Sequence, residues 1–206
     1  MSDQEIMLKS IFIGNLSVGK TSIILRYTNN IFQGEYIPTI GADFTTTPLK
    51  YIEEEERIGE DSLRSIVQQQ GLSMDEFEEI NSQFSREDMV YIWDLAGQPL
   101  FQKIRTYYMS HSFIAFLVVD LSHPDSFKIS QWVSDLKKYS PNSDFILVAN
   151  KSDLVDLEDS SLQKQIRKRL EKKYNKKVHI VSALTGKGVD ELFIEAKITM
   201  MQKYLR

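Results

Sequence analysis

The sequence predicts an α/β fold, in which a mostly parallel sheet lies between two layers of helices. Short apolar segments that are typical of buried strands occur at 11–13, 113–119, 145–149 and 178–181. Segments with helical spacing lie between them, and a glycine-rich loop follows the first strand. Because a helix between two neighbouring strands implies parallel pairing and a right-handed crossover, these segments predict one layered domain over residues 1–206.

The first strand leads into residues 14–21, GNLSVGKT, and then into a helix. This order of elements is the one that the phosphate-binding pattern G-x-x-x-x-G-K-[ST] requires, and it predicts the P-loop NTPase fold. Glycines let the backbone wrap closely around an anion, and backbone N–H groups at the helix N-terminus point at its oxygens. Lys20 would reach the terminal phosphates, and the Thr21 hydroxyl would ligate magnesium. The predicted phosphate contacts are Gly14, Ser17, Val18, Gly19, Lys20, Thr21 and Ser22.

Asn150, Lys151 and Asp153 follow the apolar segment 145–149, and they predict which base the nucleotide carries. Ligands of an open α/β sheet bind beyond the carboxyl ends of its strands, where this segment and the glycine-rich loop both lie. The Asp153 carboxylate can accept two hydrogen bonds from guanine, whereas adenine presents the opposite pattern at that edge. Asn150 is expected to brace the loop and the base, and the Lys151 stem to lie along the purine ring. These residues therefore favour GTP or GDP as the ligand. The alternative is that they form a simple polar turn at a strand end.

Together with these two motifs, four further segments resemble the Ras superfamily of small GTPases, and within it the Rab branch. Four residues are similar to the first switch segment of that family: Phe32, Tyr36, Pro38 and Thr39. The segment 40–44 is close to a Rab signature, and 93–98 resembles the second switch. Ser182, Ala183 and Leu184 resemble the last motif, in which a backbone N–H contacts the guanine oxygen. The resemblance covers nearly the whole chain, with the motifs in the expected order.

The resemblance implies a six-stranded, mostly parallel sheet with one antiparallel edge strand, and it implies a role for each site residue. Thr21 and Thr39 would coordinate Mg²⁺, and Asp94 would hold the ion through a bound water. Gln98 would orient the attacking water, with Lys20 and Thr39 as the other catalytic residues. The residues implied to contact the nucleotide outside the phosphate loop are Phe32, Tyr36, Thr39, Gly97, Asn150, Lys151, Asp153, Ser182, Ala183 and Leu184.

The resemblance also implies protein partners. Effector, exchange-factor and GTPase-activating proteins would bind the switch segments, which relax when the γ-phosphate is lost. A net charge of −4 argues against nucleic acid as a partner, and the absence of cysteine excludes prenyl or palmitoyl anchors in this sequence. The longest apolar run, 113–119, is too short to cross a bilayer. We therefore expect a cytoplasmic protein without an intrinsic lipid anchor, which its partners recruit peripherally to membranes.

Leu16 departs from the family, which usually has glycine or another small residue at this position, while Ser17 stands where glycine is common. A leucine there is expected to project toward the γ-phosphate and Gln98. It would crowd both the attacking water and an arginine finger from an activating protein, which contributes about 10³–10⁵-fold in rate. The sequence thus predicts slow hydrolysis, unless the loop shifts and Leu16 packs outward.

Residues 53–88 form an insertion where the family normally has a tight hairpin turn. The insertion opens with the acidic run 53–56 and contains two helical patterns. Leu63, Ile66 and Val67 mark the first pattern, and a capping box at 73–76 begins the second. We expect a helical hairpin that projects from the edge of the sheet. Such a hairpin could dock a partner, fold over the switch region or pack a small core of its own.

Two functions stay open at this point. One is a switch that cycles between GTP and GDP, which Gln98 favours because it can position water. The other is a hydrolytically weak, GTP-bound scaffold that acts through its insertion, which Leu16 favours. A P-loop ATPase or kinase is disfavoured because Asp153 rejects adenine. The basic segment 164–173 is expected to be a solvated face, with contact to anionic lipid as the alternative.

Overall fold

The computed structural model describes residues 5–34, 37–50, 58–155 and 161–206. Its strands are β1 (Met7–Gly14), β2 (Ala42–Pro48), β3 (Met89–Leu95), β4 (Ile114–Asp120), β5 (Asp144–Asn150) and β6 (Val178–Ile180). They form one six-stranded sheet in the order β2-β3-β1-β4-β5-β6. The edge strand β2 pairs antiparallel with β3, and every other pair is parallel. The predicted α/β sheet with one antiparallel edge strand is therefore confirmed.

Seven α-helices lie in the described part of the chain. They are α1 (Lys20–Asn29), α2 (Glu60–Gln69), α3 (Met74–Ser82), α4 (Gln102–Met109), α5 (Ser130–Tyr139), α6 (Ser161–Tyr174) and α7 (Val189–Tyr204). None of the described helices is long and apolar enough to cross a membrane.

The central strands bury both of their faces, because successive strand side chains point to opposite sides of the sheet. In β1, Phe12 packs into the core on the side of α1 and α7, whereas Ile11 and Ile13 pack into the core on the side of α5 and α6. On the first side, Phe12 stacks on Phe116 with the ring centroids 4.3 Å apart. The sheet thus lies between two helical layers, as the apolar runs predict.

The insertion packs on α7, and the expectation that it would project from the sheet edge is wrong. Four buried side chains of α2 and α3 contact Ile194 and Ile198 of α7. They are Leu63, Ile66, Val67 and Phe77. Because Phe193 and Ala196 of α7 already face the sheet core, Ile194 and Ile198 leave a second apolar stripe that needs cover. The described part of the insertion, residues 58–88, provides that cover and does not lie over the switch region. The acidic run 53–56 lies outside the described residues.

The start of α3 has the predicted capping box. The Ser73 hydroxyl accepts from Glu76 N–H at 3.2 Å, and the Glu76 carboxylate accepts from Ser73 N–H at 2.8 Å. These hydrogen bonds lower the pKa of Glu76, although Glu76 is fully exposed. The hydrogen bonds of the capping box therefore fix where α3 begins, independently of the contact with α7.

We predict that Leu63→Ala lowers the free energy of unfolding of the whole chain by about 3 kcal/mol, because it opens a cavity between α2 and α7. Denaturant unfolding followed by circular dichroism measures this change. Gln68→Ala, at an exposed position of the same helix, is the matched control and should change the free energy by less than about 0.5 kcal/mol. A Leu63→Ala protein with an unchanged main transition would mean that the insertion folds independently of α7.

Candidate nucleotide site

A cleft of about 440 Å³ lies beyond the carboxyl ends of β1, β4 and β5. Its walls come from the phosphate loop and the start of α1, from the first switch segment and from the two base-reading loops. Most of the predicted contact residues line it, namely Ser17, Gly19, Lys20, Thr21, Ser22, Phe32, Thr39, Gly97, Asn150, Lys151, Asp153, Ala183 and Leu184. The sheet topology thus brings together residues that are distant in sequence, as expected for an open α/β sheet.

The phosphate loop is closed by Lys20. Its ammonium group is buried and donates to the carbonyl oxygens of Gly14 at 3.1 Å and Asn15 at 3.0 Å. Gly19 has a φ of +88°, and a Cβ there would lie 2.3 Å from Asn150 Nδ2. Glycine is therefore required twice over at this position, by its backbone conformation and by the close approach of Asn150.

Thr21, Thr39 and Asp94 meet at one end of the cleft. Thr21 Oγ1 lies 3.0 Å from Thr39 Oγ1. Asp94 Oδ2 accepts from both hydroxyls, from Thr39 at 3.0 Å. Asp94 Oδ1 is buried and has no hydrogen-bond partner in the described part of the chain. Because an unpaired buried carboxylate oxygen is costly, this oxygen set fits Mg²⁺ with its bound water, which prefers such ligands.

Asn150 joins the phosphate loop to the loop at 182–184. Its Nδ2 donates to Val18 O at 3.0 Å, and its Oδ1 accepts from Ala183 N–H at 3.1 Å. Asp153 Oδ1 accepts a hydrogen bond from the buried Ser182 hydroxyl, so that its second oxygen stays available. The segments 150–153 and 182–184 are thereby held at fixed positions relative to the phosphate loop.

Lys151 makes an ion pair that the sequence did not predict. Its Nζ lies 2.7 Å from Oδ2 of Asp120, a buried residue at the carboxyl end of β4. Burial would raise the pKa of Asp120, but hydrogen bonds from Lys151 and Ser122 and the positive charge of Lys151 outweigh it and hold the pKa below its ordinary value. The pair orients the Lys151 stem along the cleft wall. Asp120 lies opposite Asn150 on the neighbouring strand. This position at the end of a strand was the signal in the sequence that could have identified Asp120 as a site residue.

Several predicted site residues do not line the cleft. Gly14, Val18 and Ser182 lie behind it, where they support the loops. Asp94 lies just beneath the two threonines. Gln98 is half-buried outside the lining, and its carbonyl accepts from Phe101 N–H at 3.1 Å. Tyr36 lies outside the described residues.

Leu16 lines the cleft with 49% of its surface exposed. Its backbone lies against the second switch, because a Cβ on Gly97 would fall 2.7 Å from Leu16 N and 2.6 Å from Asn15 O. Any side chain at position 97 would push the second switch away from the phosphate loop.

Asn15 and Trp132 form a further link that the sequence did not predict. Trp132 Nε1 donates to Asn15 Oδ1 at 2.8 Å, and Asn15 Nδ2 donates to Ser126 O at 3.4 Å. This pair fixes the first turn of the phosphate loop to α5. Nothing in the local sequence pattern indicates it, because the two residues are more than one hundred positions apart.

An aromatic strip, formed by the exposed Phe44 and the half-buried Trp93 and Tyr108, lies beside the switch segments. The ring centroids of Phe44 and Trp93 are 5.3 Å apart, and those of Trp93 and Tyr108 are also 5.3 Å apart. Phe44 is 57% exposed. Contiguous apolar surface of this kind is typical of a protein-binding site.

The chain is similar to known proteins over nearly its whole length. Residues 9–59 and 65–202 match the Ras family. It is 30% identical to Ras-related protein Rab-4 of Dictyostelium discoideum, over 96% of this chain and 80% of that relative. It is 27% identical to Ras-related protein RabC of the same organism, over 93% of this chain and 82% of the relative. It is 29% identical to Ras-related protein Rab-27B of Rattus norvegicus, over 98% and 82% of the two chains.

We predict that Asp120→Asn speeds the release of bound GDP about tenfold, because Lys151 loses the charge that orients it. Since the Lys151 side chain is 29% exposed, solvent screening keeps the effect below that of a fully buried pair. Asp125→Asn, which removes an exposed carboxylate paired with Lys128, is the control and should leave release unchanged.

The same ion pair predicts a pH dependence. The folded-state pKa of Asp120 is lowered, so its contribution to stability is complete above the unfolded pKa, about 3.9. That contribution is lost as the pH falls through the folded value. Melting temperatures of the native protein and Asp120→Asn should therefore differ at pH 7 and converge as the pH falls below about 4. A difference that persisted at acid pH would show that the charge is not responsible.

Proposed function

This chain belongs to the Ras family and is therefore a GTP-binding switch GTPase, and we propose that it hydrolyses GTP slowly with the residues assembled around its cleft. The observation that carries this proposal is the meeting of Thr21, Thr39 and Asp94 around an unpartnered carboxylate oxygen, next to the closed phosphate loop. Thr39 comes from the first switch segment and Thr21 from α1, so a ligand that holds both also holds the switch.

Phosphoryl transfer needs positioning and charge neutralisation more than covalent chemistry. The Lys20 ammonium neutralises the terminal phosphates, and the Gly97 N–H donates to the γ-phosphate. Gln98 orients the water that attacks in line, once the second switch has moved it toward the cleft. Thr21 and Thr39 would hold Mg²⁺, with Asp94 acting through a bound water, and the ion would supply further neutralisation of the phosphate oxygens.

Guanine is read by the other end of the cleft. Asp153 accepts from the two donors of the guanine edge, and Phe32 and the Lys151 stem cover the ring. The backbone of Ala183 and Leu184 faces the 6-oxo group. Adenine would leave the Asp153 carboxylate unpaired, and that loss makes the discrimination steep.

Leu16 is the reason for the low rate in this proposal. Leu16 lies on the cleft wall, and in this proposal the attacking water and an arginine finger would approach the γ-phosphate at that point. A branched side chain there excludes both unless the loop moves. The alternative function, a GTP-bound scaffold with little turnover, rests on this same observation, and a partner of the insertion 53–88 would then bind the outer faces of α2 and α3.

Partners of the switch would bind beside the cleft. Loss of the γ-phosphate removes the ligand that holds Thr39 and Gly97, so the two switch segments relax. The aromatic strip borders both segments and is the surface that we assign to effectors, while exchange factors and activating proteins act on the switch segments themselves. The protein then works in the cytoplasm and reaches membranes peripherally through such partners.

We predict that the native chain hydrolyses preloaded, magnesium-bound GTP at or below the intrinsic rate of Ras proteins, about 10⁻⁴ s⁻¹. Leu16→Gly should raise the rate because water gains access, and Gln98→Leu should abolish hydrolysis because the water loses its orientation. Single-turnover phosphate release measures both. Gln68→Leu, the same exchange on the surface of α2, controls for the change of side chain. If Leu16→Gly had no effect, crowding by leucine would not be the cause of slow turnover.

We predict that Asp94→Asn weakens the magnesium dependence of GTP binding about 10–100-fold, as expected for a residue that orients a metal-bound water. Titration of GTP affinity against Mg²⁺ concentration measures this. Asp43→Asn is the matched control, since Asp43 pairs with Asp94 across β2 and β3 but is exposed. Retention of full magnesium dependence in Asp94→Asn would rule out the assigned metal position.

A further inference from the structure

The guanidinium of Arg26, in the last turn of α1, donates to two loops at once. Its Nε donates to Ala183 O at 2.9 Å, and its Nη2 donates to Leu184 O at 2.7 Å. Its Nη1 donates to Asn30 O at 3.1 Å and to Asn30 Oδ1 at 2.8 Å. One side chain therefore joins the loop that faces the purine to the end of α1, from which the first switch segment departs.

The two carbonyl contacts decide which way the loop amides point. A trans peptide places its N–H opposite to its C=O. Because Ala183 O turns toward Arg26, the N–H of Leu184 turns away from it. Leu184 lines the cleft and Arg26 does not.

The neighbouring amides of this loop already have acceptors. Ala183 N–H donates to Asn150 Oδ1 at 3.1 Å, and Thr185 N–H donates to Ser182 Oγ at 3.1 Å. Gly186 N–H donates to Ser182 O at 2.8 Å. For Leu184 N–H the described residues provide no acceptor. It is the donor of this loop that remains for a ligand.

We propose that Arg26 is a positioning residue for guanine recognition, which holds the loop at 183–184 so that the Leu184 N–H faces the purine 6-oxo group. The proposal rests on the proposed function of the cleft as a guanine-nucleotide site. Through Asn30, the same guanidinium sets where the segment that carries Phe32 leaves α1. Arg26 thereby couples recognition of the base to the start of the first switch.

Arginine suits this role better than lysine. Its planar guanidinium presents several donors in a fixed fork, so it can bind two successive carbonyls and Asn30 together. A lysine ammonium is a point charge with three donors and no fixed plane. It can keep one of the loop carbonyls, and it loses the geometry that relates this loop to Asn30.

The test compares release of GDP with release of 6-thio-GDP at fixed Mg²⁺. Sulfur at position 6 is a weaker acceptor than oxygen, while the two donors read by Asp153 are kept. The native protein should release GDP more slowly than the thio analogue. In Arg26→Ala, GDP release should become about tenfold faster and thio-GDP release much less so, because a hydrogen bond to the 6-oxo group is what is lost. The ratio of the two release rates should fall toward one.

Arg26→Lys should give a ratio of release rates between those of the native protein and Arg26→Ala. If Arg26→Ala does not fold, Arg26→Lys is the variant that tests the inference. Arg64→Ala is the matched control, because Arg64 is an exposed arginine of α2 that pairs with Glu60 at 2.8 Å. It should leave the ratio unchanged. Each variant is first compared with the native protein by thermal melting, so that loss of fold is recognised.

The outcomes separate this inference from the one on which it rests. If Arg26→Ala releases both nucleotides faster by the same factor, the ratio of the two release rates stays at the native value. Arg26 then has only a structural role, and the inference is overturned. If the native chain holds neither nucleotide, the proposed function fails, and the inference fails with it.

Discussion

The cleft depends on the Asn150 side chain, which joins two loops that the sequence places far apart. Its amide nitrogen donates to Val18 O in the phosphate loop, and its oxygen accepts from Ala183 N–H in the base-reading loop. Asn150 is 1% exposed, so neither group could turn to water if its partner were removed. The spacing between the phosphate end and the base end of the site is therefore fixed by the protein before a ligand binds. Gly19 follows from this constraint, since any side chain there would displace Asn150.

The rigid and movable parts of the site differ in how they are held. The base end is fixed by Asn150, by the Asp120–Lys151 ion pair and by Arg26, each of which contacts a different segment of the chain. At the phosphate end, Thr39 is held to the core of the domain by its contacts with Thr21 and Asp94. Around it, Ile37 and Ile40 of the first switch segment are exposed. A segment with so few buried contacts responds readily to a ligand that binds Thr39.

Local patterns were enough to predict four of the six strands, the strand–loop–helix order around residues 14–21 and both helices of the insertion. Gly14 to Thr21 and Asn150 to Asp153 are readable because their chemistry requires contiguous residues. What remained hidden was non-local. Asp120 and Arg26 act through partners on other elements, and no spacing rule relates them. The insertion was placed wrongly for the same reason, because the stripe formed by Ile194 and Ile198 becomes visible only once the rest of α7 has been assigned to the sheet core.

The insertion also changes how the chain must reach this fold. β2 and β3 pair antiparallel, with Pro48 opposite Met89, so residues 49–88 must be looped out before the edge strand can form. Closing a loop about ten times longer than a tight turn costs about 2 kcal/mol more in chain entropy. The contact of α2 and α3 with α7 can offset that cost, but α7 follows all the strands of the sheet in the chain and leaves the ribosome after them. During synthesis, the edge strand that borders both switch segments should therefore be among the last parts of the protein to become stable.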